Sequence, residues 1–436
     1  MEGQPAVSSI AESLAEQGIH TLLVQFTDLM GEAKGKLVPL HQLGTVLRNG
    51  AGFAGPSIVG TGLPRTGPRS EYYARGDATT LQPLPWLAGV ARIVGDGFVD
   101  AEPFDACPRQ ILRRATARLA DRGWTLQVGI EPEFFLLQPG MEGLVPFDER
   151  DRLAKPSYDL HSLLRQWPLL HTLREWLEAC GLTVLQIDHE DANGQYEINF
   201  LHAEALVSAD RLMLFKLAAH AAAERHGAVF STHPKPLADQ PGSGLHFHVS
   251  LWQGEQPVFD AVPSEGELSA LGRHFVAGVL AHTPGLCALA APIAASYVRL
   301  GATHSQSGST WAPSVAAHGP NNRTALVRTL MGRFEWRLPD AAANPYLALA
   351  GLIAAGLDGI DRALEPPPAC AADLAENALA AASAPPLPSD LRAAAQALLA
   401  DPVLCAALGD TAAEQLAALQ LAEYAASRRT VPQHEA

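Results

Sequence analysis

Residues 124–133, WTLQVGIEPE, alternate apolar and polar positions. Trp124, Leu126, Val128 and Ile130 fall on one face of an extended chain, and Glu131 and Glu133 fall on the other, because strand side chains repeat every two residues. Three later stretches follow the same rule. GQYEINF sets Glu197 beside Asn199, and GLHFHVSL sets His246, His248 and Ser250 opposite Leu245, Phe247 and Val249. GRFEWRLPD gathers Arg333, Glu335 and Arg337. In each stretch the apolar face is suited to packing under helices.

One wet strand face is ordinary, since antiparallel sheets often solvate one side. Four of them rich in Glu and His, without one lysine, are not. Carboxylates crowded on one surface repel unless cations are present. Hard divalent metals held by Glu oxygens and some His explain the pattern. Glu190 adds a carboxylate seven residues before Glu197. Downstream, SYVRL supplies Arg299 and NNRTALVR supplies Arg323 and Arg328. Metal ligands together with several arginines point to phosphoryl transfer, where both neutralise phosphate oxygens. No GxxxxGK[ST] or GxGxxG loop is present, so metals and arginines must hold the nucleotide.

The chain has 436 residues, enough for two or three domains. Its 47% hydrophobic and 18% charged content fits a globular protein. A net charge of −15 with no Lys/Arg cluster argues against nucleic acid or an anionic membrane as partner. Five scattered cysteines without a CxxC pair fit a reducing, cytoplasmic compartment. The acidic N-terminus has no signal-peptide pattern, and the apolar stretches 275–300 and 344–360 read as buried helices. Residues 50–70, rich in Gly and Pro, are expected to be loop. Residues 107–123 read as a helix with Ile111, Leu112, Ala115 and Leu119 on one face and Gly123 as its stop. Residues 389–402 read as a helix capped by Ser389. A boundary near 105 gives a small β-rich domain, 1–105, and an α+β domain, 106–436.

The motifs GIEPEFF, HEDANGQYEINF, GSGLHFHVSL, SYVRL, NNRTALVR and RFEWRLPDAAANPYLALAGLIAAGLDGI resemble, in order and spacing, those of the glutamine synthetase family. The resemblance covers nearly the whole chain. It implies a β-grasp-like N-terminal domain and a catalytic domain whose curved, mostly antiparallel sheet lines the site. It also implies a homo-oligomer, usually a dodecamer of two hexameric rings, with sites between subunits. By motif position, Glu133, Glu190 and Glu197 would hold one Mg2+ or Mn2+, and Glu131, His246 and Glu335 a second. His248, Ser250, Arg323, Arg328 and Arg333 would handle ATP and its transferring phosphate. Arg299, Arg337 and Gly242 would hold glutamate, with Arg337 near the γ-carboxylate. The implied chemistry converts that carboxylate to an acyl phosphate, which an amine then attacks.

Departures from the family pattern are informative. Trp311, in SGSTWAP, stands where ammonia-using members carry a glutamate. Ala54, in GFAGPSIVG, stands where an aspartate of the neighbouring subunit helps bind ammonium. Pro241 replaces the asparagine of the usual NGSG stretch, and PPPACAADLAENALA lacks the tyrosine used for adenylylation. The pattern looks most like the γ-glutamylmethylamide synthetases, with Trp311, Ala54 and Phe53 forming an apolar wall around the methyl group. The alternatives are a true glutamine synthetase, a ligase for ethanolamine or a polyamine, a non-catalytic family member, and a metal-dependent hydrolase. Retention of all six metal ligands argues against a non-catalytic member, and Arg323, Arg328 and Arg333 argue against a hydrolase.

Overall fold

The computed structural model describes residues 4–141, 143–261, 267–302, 304–308 and 310–429. The expected α+β class is what forms. Of the two sheets among the described residues, the first runs in the order Ala33–Pro39, Thr21–Thr27, Val90–Val99, Glu71–Gly76 and Ala51–Ala54, and two short strands pair with Val90–Val99. Thr21–Thr27 and Val90–Val99 are parallel, and the other neighbours are antiparallel.

The expected loop over 50–70 is only partly one. Ala51–Ala54 is a strand, paired antiparallel with Glu71–Ala74. Gly50, at φ 86°, makes the preceding turn, and the Phe53 ring packs edge-on against Phe26 with centroids 4.9 Å apart. A partner strand twenty residues away and a ring contact override the local Gly/Pro bias. The helix Leu391–Leu399 forms where expected, but Asp390 rather than Ser389 caps it by accepting from the Ala393 N–H.

The second sheet runs Val184–His189, Gln195–Glu204, Thr125–Gly140, Leu245–Gln253, Arg333–Trp336, Val327–Leu330 and His318–Pro320, with three short strands alongside. All neighbours on that path are antiparallel except the last pair. One face carries Leu126, Val128, Ile130, Leu245, Phe247, Val249, Phe334 and Trp336, all buried in the main core. The helices Pro108–Ala120 and Ala205–Arg225 contact the Thr125–Gly140 strand.

The helix Pro345–Asp361 is almost wholly buried. Its N-cap Asn344 accepts from the Tyr346 and Leu347 N–H groups, and the same side chain donates to the carbonyls of Asp28 and Leu29. One residue thus caps a core helix and fastens the first sheet's hairpin to it. The helix packs on Ala270–Ala281 so closely that a Cβ on Gly278 would sit 2.0 Å from the Ala355 carbonyl oxygen. Among the described residues, no single helix is long and apolar enough to cross a membrane.

Candidate active site

The polar face of the second sheet is assembled by register. Glu197 lies opposite Glu133, His246 opposite Glu131, and His248 opposite Glu335. His246 is central to the cluster. Its Nδ1 is 3.8 Å from Glu131 and 3.5 Å from Glu335, and its Nε2 is 3.8 Å from Glu133. His248 Nε2 is 3.0 Å from Glu131.

Among the described residues, three groups bring ligand atoms within 4.8 Å of one another: Glu131, His246 and Glu335; Glu133, Glu197 and His246; and Asp188, Glu190 and Glu197. All six expected ligands therefore converge. One trio has the expected membership. The other is redistributed, with Glu190 grouped with Glu197 and Asp188 rather than with Glu133. Asp188 was missed in the sequence. It follows the same two-residue rule on Val184–His189 and pairs in register with Glu197.

The electrostatics of this face favour a cation. Burial, then the charges of Glu133 and Asp188, push the Glu190 carboxyl well above its ordinary value. Burial, then Glu190, Glu131 and Glu133, do the same to Glu197. Burial also raises Asp188. Glu131 differs: burial acts to raise it, but hydrogen bonds with His246 and His248 outweigh that and hold it low. Carboxylate oxygens with an imidazole nitrogen are a donor set that suits Mg2+ or Mn2+.

The arginines border the same cleft, of about 840 Å³. Arg328 Nη1 donates to Glu335 at 2.8 Å and Arg337 Nη1 donates to its other oxygen at 3.0 Å. Arg333 Nε reaches His248 at 3.4 Å, and Arg323 is exposed on the cleft wall. An adjoining cleft of about 490 Å³ takes His248, Ser250 and Arg333. A narrow pocket of about 40 Å³ holds Arg299 and Gly242 beside Glu133 and Trp311. Gly242 is required there, since a Cβ would lie 2.3 Å from the Pro234 carbonyl oxygen. Gln195, also not foreseen, joins the two by donating to Glu133 at 2.9 Å and to the Gly242 carbonyl at 3.1 Å.

Residues 105–436 match the family described as glutamine synthetase, catalytic domain. The chain belongs to the glutamine synthetase family. A glutamate–methylamine ligase of Methyloversatilis universalis is 42% identical over 415 residues, covering 94% of this chain and 93% of that protein. A glutamine synthetase of Rhizobium meliloti is 37% identical over 397 residues, 90% of each chain. A solved GmaS/ADP complex superposes with a TM-score of 0.91 at 38% identity, covering 97% of both chains. Within the glutamine synthetase family the chain is an ATP-dependent ligase.

Trp311 is 40% exposed and borders both the large cleft and the narrow pocket. Ser309, two residues before it in the SGSTWAP loop, lies outside the described residues. Ala54 and Phe53 border neither of these two cavities within one chain. Ala54 is exposed at the end of its strand, and Phe53 is half-buried with Lys36 Nζ 4.6 Å from its ring.

Proposed function

We propose that the chain ligates L-glutamate to a small alkylamine, methylamine by preference, coupled to conversion of ATP to ADP and phosphate. The observation that carries this reading is Trp311, an indole bordering the metal-ligand cleft beside Glu133, Glu190 and Arg337. The similarity to a glutamate–methylamine ligase supports it.

In this reading Glu133, Glu190 and Glu197 hold one divalent cation, with Asp188 beside them, and Glu131, His246 and Glu335 hold a second. Bound there, Mg2+ or Mn2+ would neutralise phosphate charge and polarise phosphoryl oxygens. His248, Ser250, Arg323, Arg328 and Arg333 bind ATP and the transferring group. Arg299, Gly242 and Arg337 hold glutamate. The γ-carboxylate oxygen attacks the γ-phosphorus and ADP leaves. The amine nitrogen attacks the acyl carbon of the γ-glutamyl phosphate, the C–O bond to phosphate breaks, and the nitrogen loses a proton to give the amide. Exclusion of water protects the acyl phosphate.

Trp311, with Ala54 and Phe53 of a neighbouring subunit, forms an apolar wall around the methyl group. The rest of the reading is a small N-terminal domain over 1–105, a catalytic domain over 106–436, a dodecamer of two hexameric rings and a cytoplasmic location. The competing reading is ammonium as the amine, which the similarity to a glutamine synthetase favours. The deciding experiment compares ATP- and glutamate-dependent product formation with methylamine, ethylamine, ammonium and putrescine. A higher kcat/KM for methylamine than for ammonium supports the proposal, and the reverse order overturns it.

A further inference from the structure

Asp191 stands at the turn between Val184–His189 and Gln195–Glu204, one residue beyond Glu190. It is 4% exposed. Its Oδ2 accepts from Trp311 Nε1 at 3.2 Å and from Ser307 Oγ at 2.7 Å. Its Oδ1 accepts from Ser157 Oγ. Three chain segments, around residues 157, 191 and 307–311, therefore meet on one carboxylate.

An indole has one polar hydrogen and no acceptor. Here that hydrogen is directed at Asp191, which fixes the ring about its own side-chain torsions. The backbone of the same residue is held from another side, because Arg337 Nη2 donates to the Trp311 carbonyl at 3.0 Å. Arg337 also bonds Glu335, so Trp311 is indexed to the metal-ligand sheet at its carbonyl and to the Glu190 turn at its ring. Asp191 also borders the same two cavities as Trp311, where the narrow pocket meets the large cleft.

We propose that Asp191 is the positioning residue for amine selectivity: it sets the place of the Trp311 ring, and through that ring the preference for an alkylamine over ammonium. The inference rests on the function proposed above. Neither the spacing of Asp191 and Trp311 in the chain nor the metal-ligand pattern requires this contact. Asp191 acts on the amine through Trp311 and not on the nucleotide.

The test uses the full-length enzyme with Mg2+ and four variants: Asp191→Ala, Asp191→Asn, Trp311→Phe, and Asp191→Ala combined with Trp311→Phe. Trp311→Phe keeps an aromatic ring but removes the N–H donor. Its emission, subtracted from that of its parent, isolates the Trp311 signal from the other six tryptophans. Asp191→Ala is expected to raise the KM for methylamine about tenfold, equivalent to ~1.4 kcal/mol. It should lower the methylamine-to-ammonium ratio of kcat/KM, shift the Trp311 emission, and leave the KM for ATP within about twofold. Asp191→Asn, which keeps an acceptor oxygen, is expected to recover most of the ratio. The double variant should be no worse than Asp191→Ala alone, because both changes delete one interaction. An unchanged ratio in Asp191→Ala overturns the inference, and so does additivity in the double variant. A raised KM for ATP with unshifted emission also overturns it. If Asp191→Ala fails to fold, Trp311→Phe decides alone: an unchanged ratio there refutes a role for the N–H contact. A wild-type enzyme that favours ammonium instead overturns the proposed function, and that result is read before any variant is made.

Discussion

Glu133 and Glu197 face each other in direct register across two antiparallel strands. Both are largely buried, and His246 is the third member of their group. Directly opposed like charges destabilise a sheet. Their placement is therefore costly to the protein alone and favourable once a cation lies between them.

Replacing Glu197 with Gln should separate these two effects. Burial and four neighbouring carboxylates, Glu190, Glu131, Glu133 and Asp188, already raise the Glu197 carboxyl, so its ionisation disfavours the fold. A carboxylate raised in the folded state makes stability fall as pH rises above the ordinary glutamate range. In EDTA at pH 8, Glu197→Gln is expected to melt above wild type, by about 1 °C for each kcal/mol relieved in a chain of 436 residues. Added Mg2+ should raise the wild-type melting temperature more than the variant's, and ligation should be lost. Equal Mg2+ shifts in calorimetry would refute a ligand role.

Restoring acids at the amine wall should change the substrate. Trp311→Glu combined with Ala54→Asp removes a methyl contact worth about 0.8 kcal/mol and a cation–π contact of about 0.5–2 kcal/mol. The methylamine-to-ammonium ratio of kcat/KM is expected to fall by roughly ten- to a hundredfold. Steady-state kinetics on a folded, ATP-binding double variant check this, and an unmoved ratio removes Trp311 from amine selection.

Arg109 concerns the fold rather than the reaction. Its guanidinium, 3% exposed, reaches Asp77 at 3.0 Å, Asp96 at 2.8 Å and Asp210 at 2.8 Å. Tyr346 Oη also donates to Asp210 at 2.7 Å, which links the network to the core helix. Removing one partner of a buried ionic network leaves charges uncompensated. Arg109→Ala should lose about 3–5 kcal/mol in urea unfolding. A loss near that of an exposed pair, under ~1 kcal/mol, would show the network to be inert.

His282 gives the fold a pH dependence. It bonds Asp401 at 2.6 Å through Nδ1 and Asp358 at 3.0 Å through Nε2, joining helices Pro345–Asp361 and Pro402–Leu408 at the end of Ala270–Ala281. Burial alone would lower the imidazolium, but hydrogen bonds to Asp401 and then Asp358 outweigh it and raise its pKa above the ordinary 6.5. A raised cationic group stabilises the fold fully below its unfolded pKa and loses that contribution as pH rises through the folded one. The stability gap between wild type and His282→Gln should thus be larger at pH 6 than at pH 9. A gap that does not change with pH would mean that His282 stays neutral in the fold.

Much of this molecule is written locally. The two-residue alternation identified which side chains of 124–133 and 245–250 face the site, because facing is a property of the extended backbone itself. The helix Pro108–Ala120 and the Gly123 stop at φ 72° were legible for the same reason, since periodicity and left-handed turns are short-range. The strand Ala51–Ala54 was not, because its hydrogen bonds come from Glu71–Ala74 and its ring contact from Phe26.

The α+β class, the polar face of each site strand and the kinds of ligand atom gathered on it are thus readable from local pattern alone. How those atoms are shared is a long-range property. His246 joins two groups, Glu190 falls with Asp188, and Asp191 receives the indole of a residue 120 positions away. Backbone geometry fixes where a side chain points within a few residues. Which carboxylate it meets depends on strand register and loop return across hundreds of residues, and these are set by the packing of the whole core.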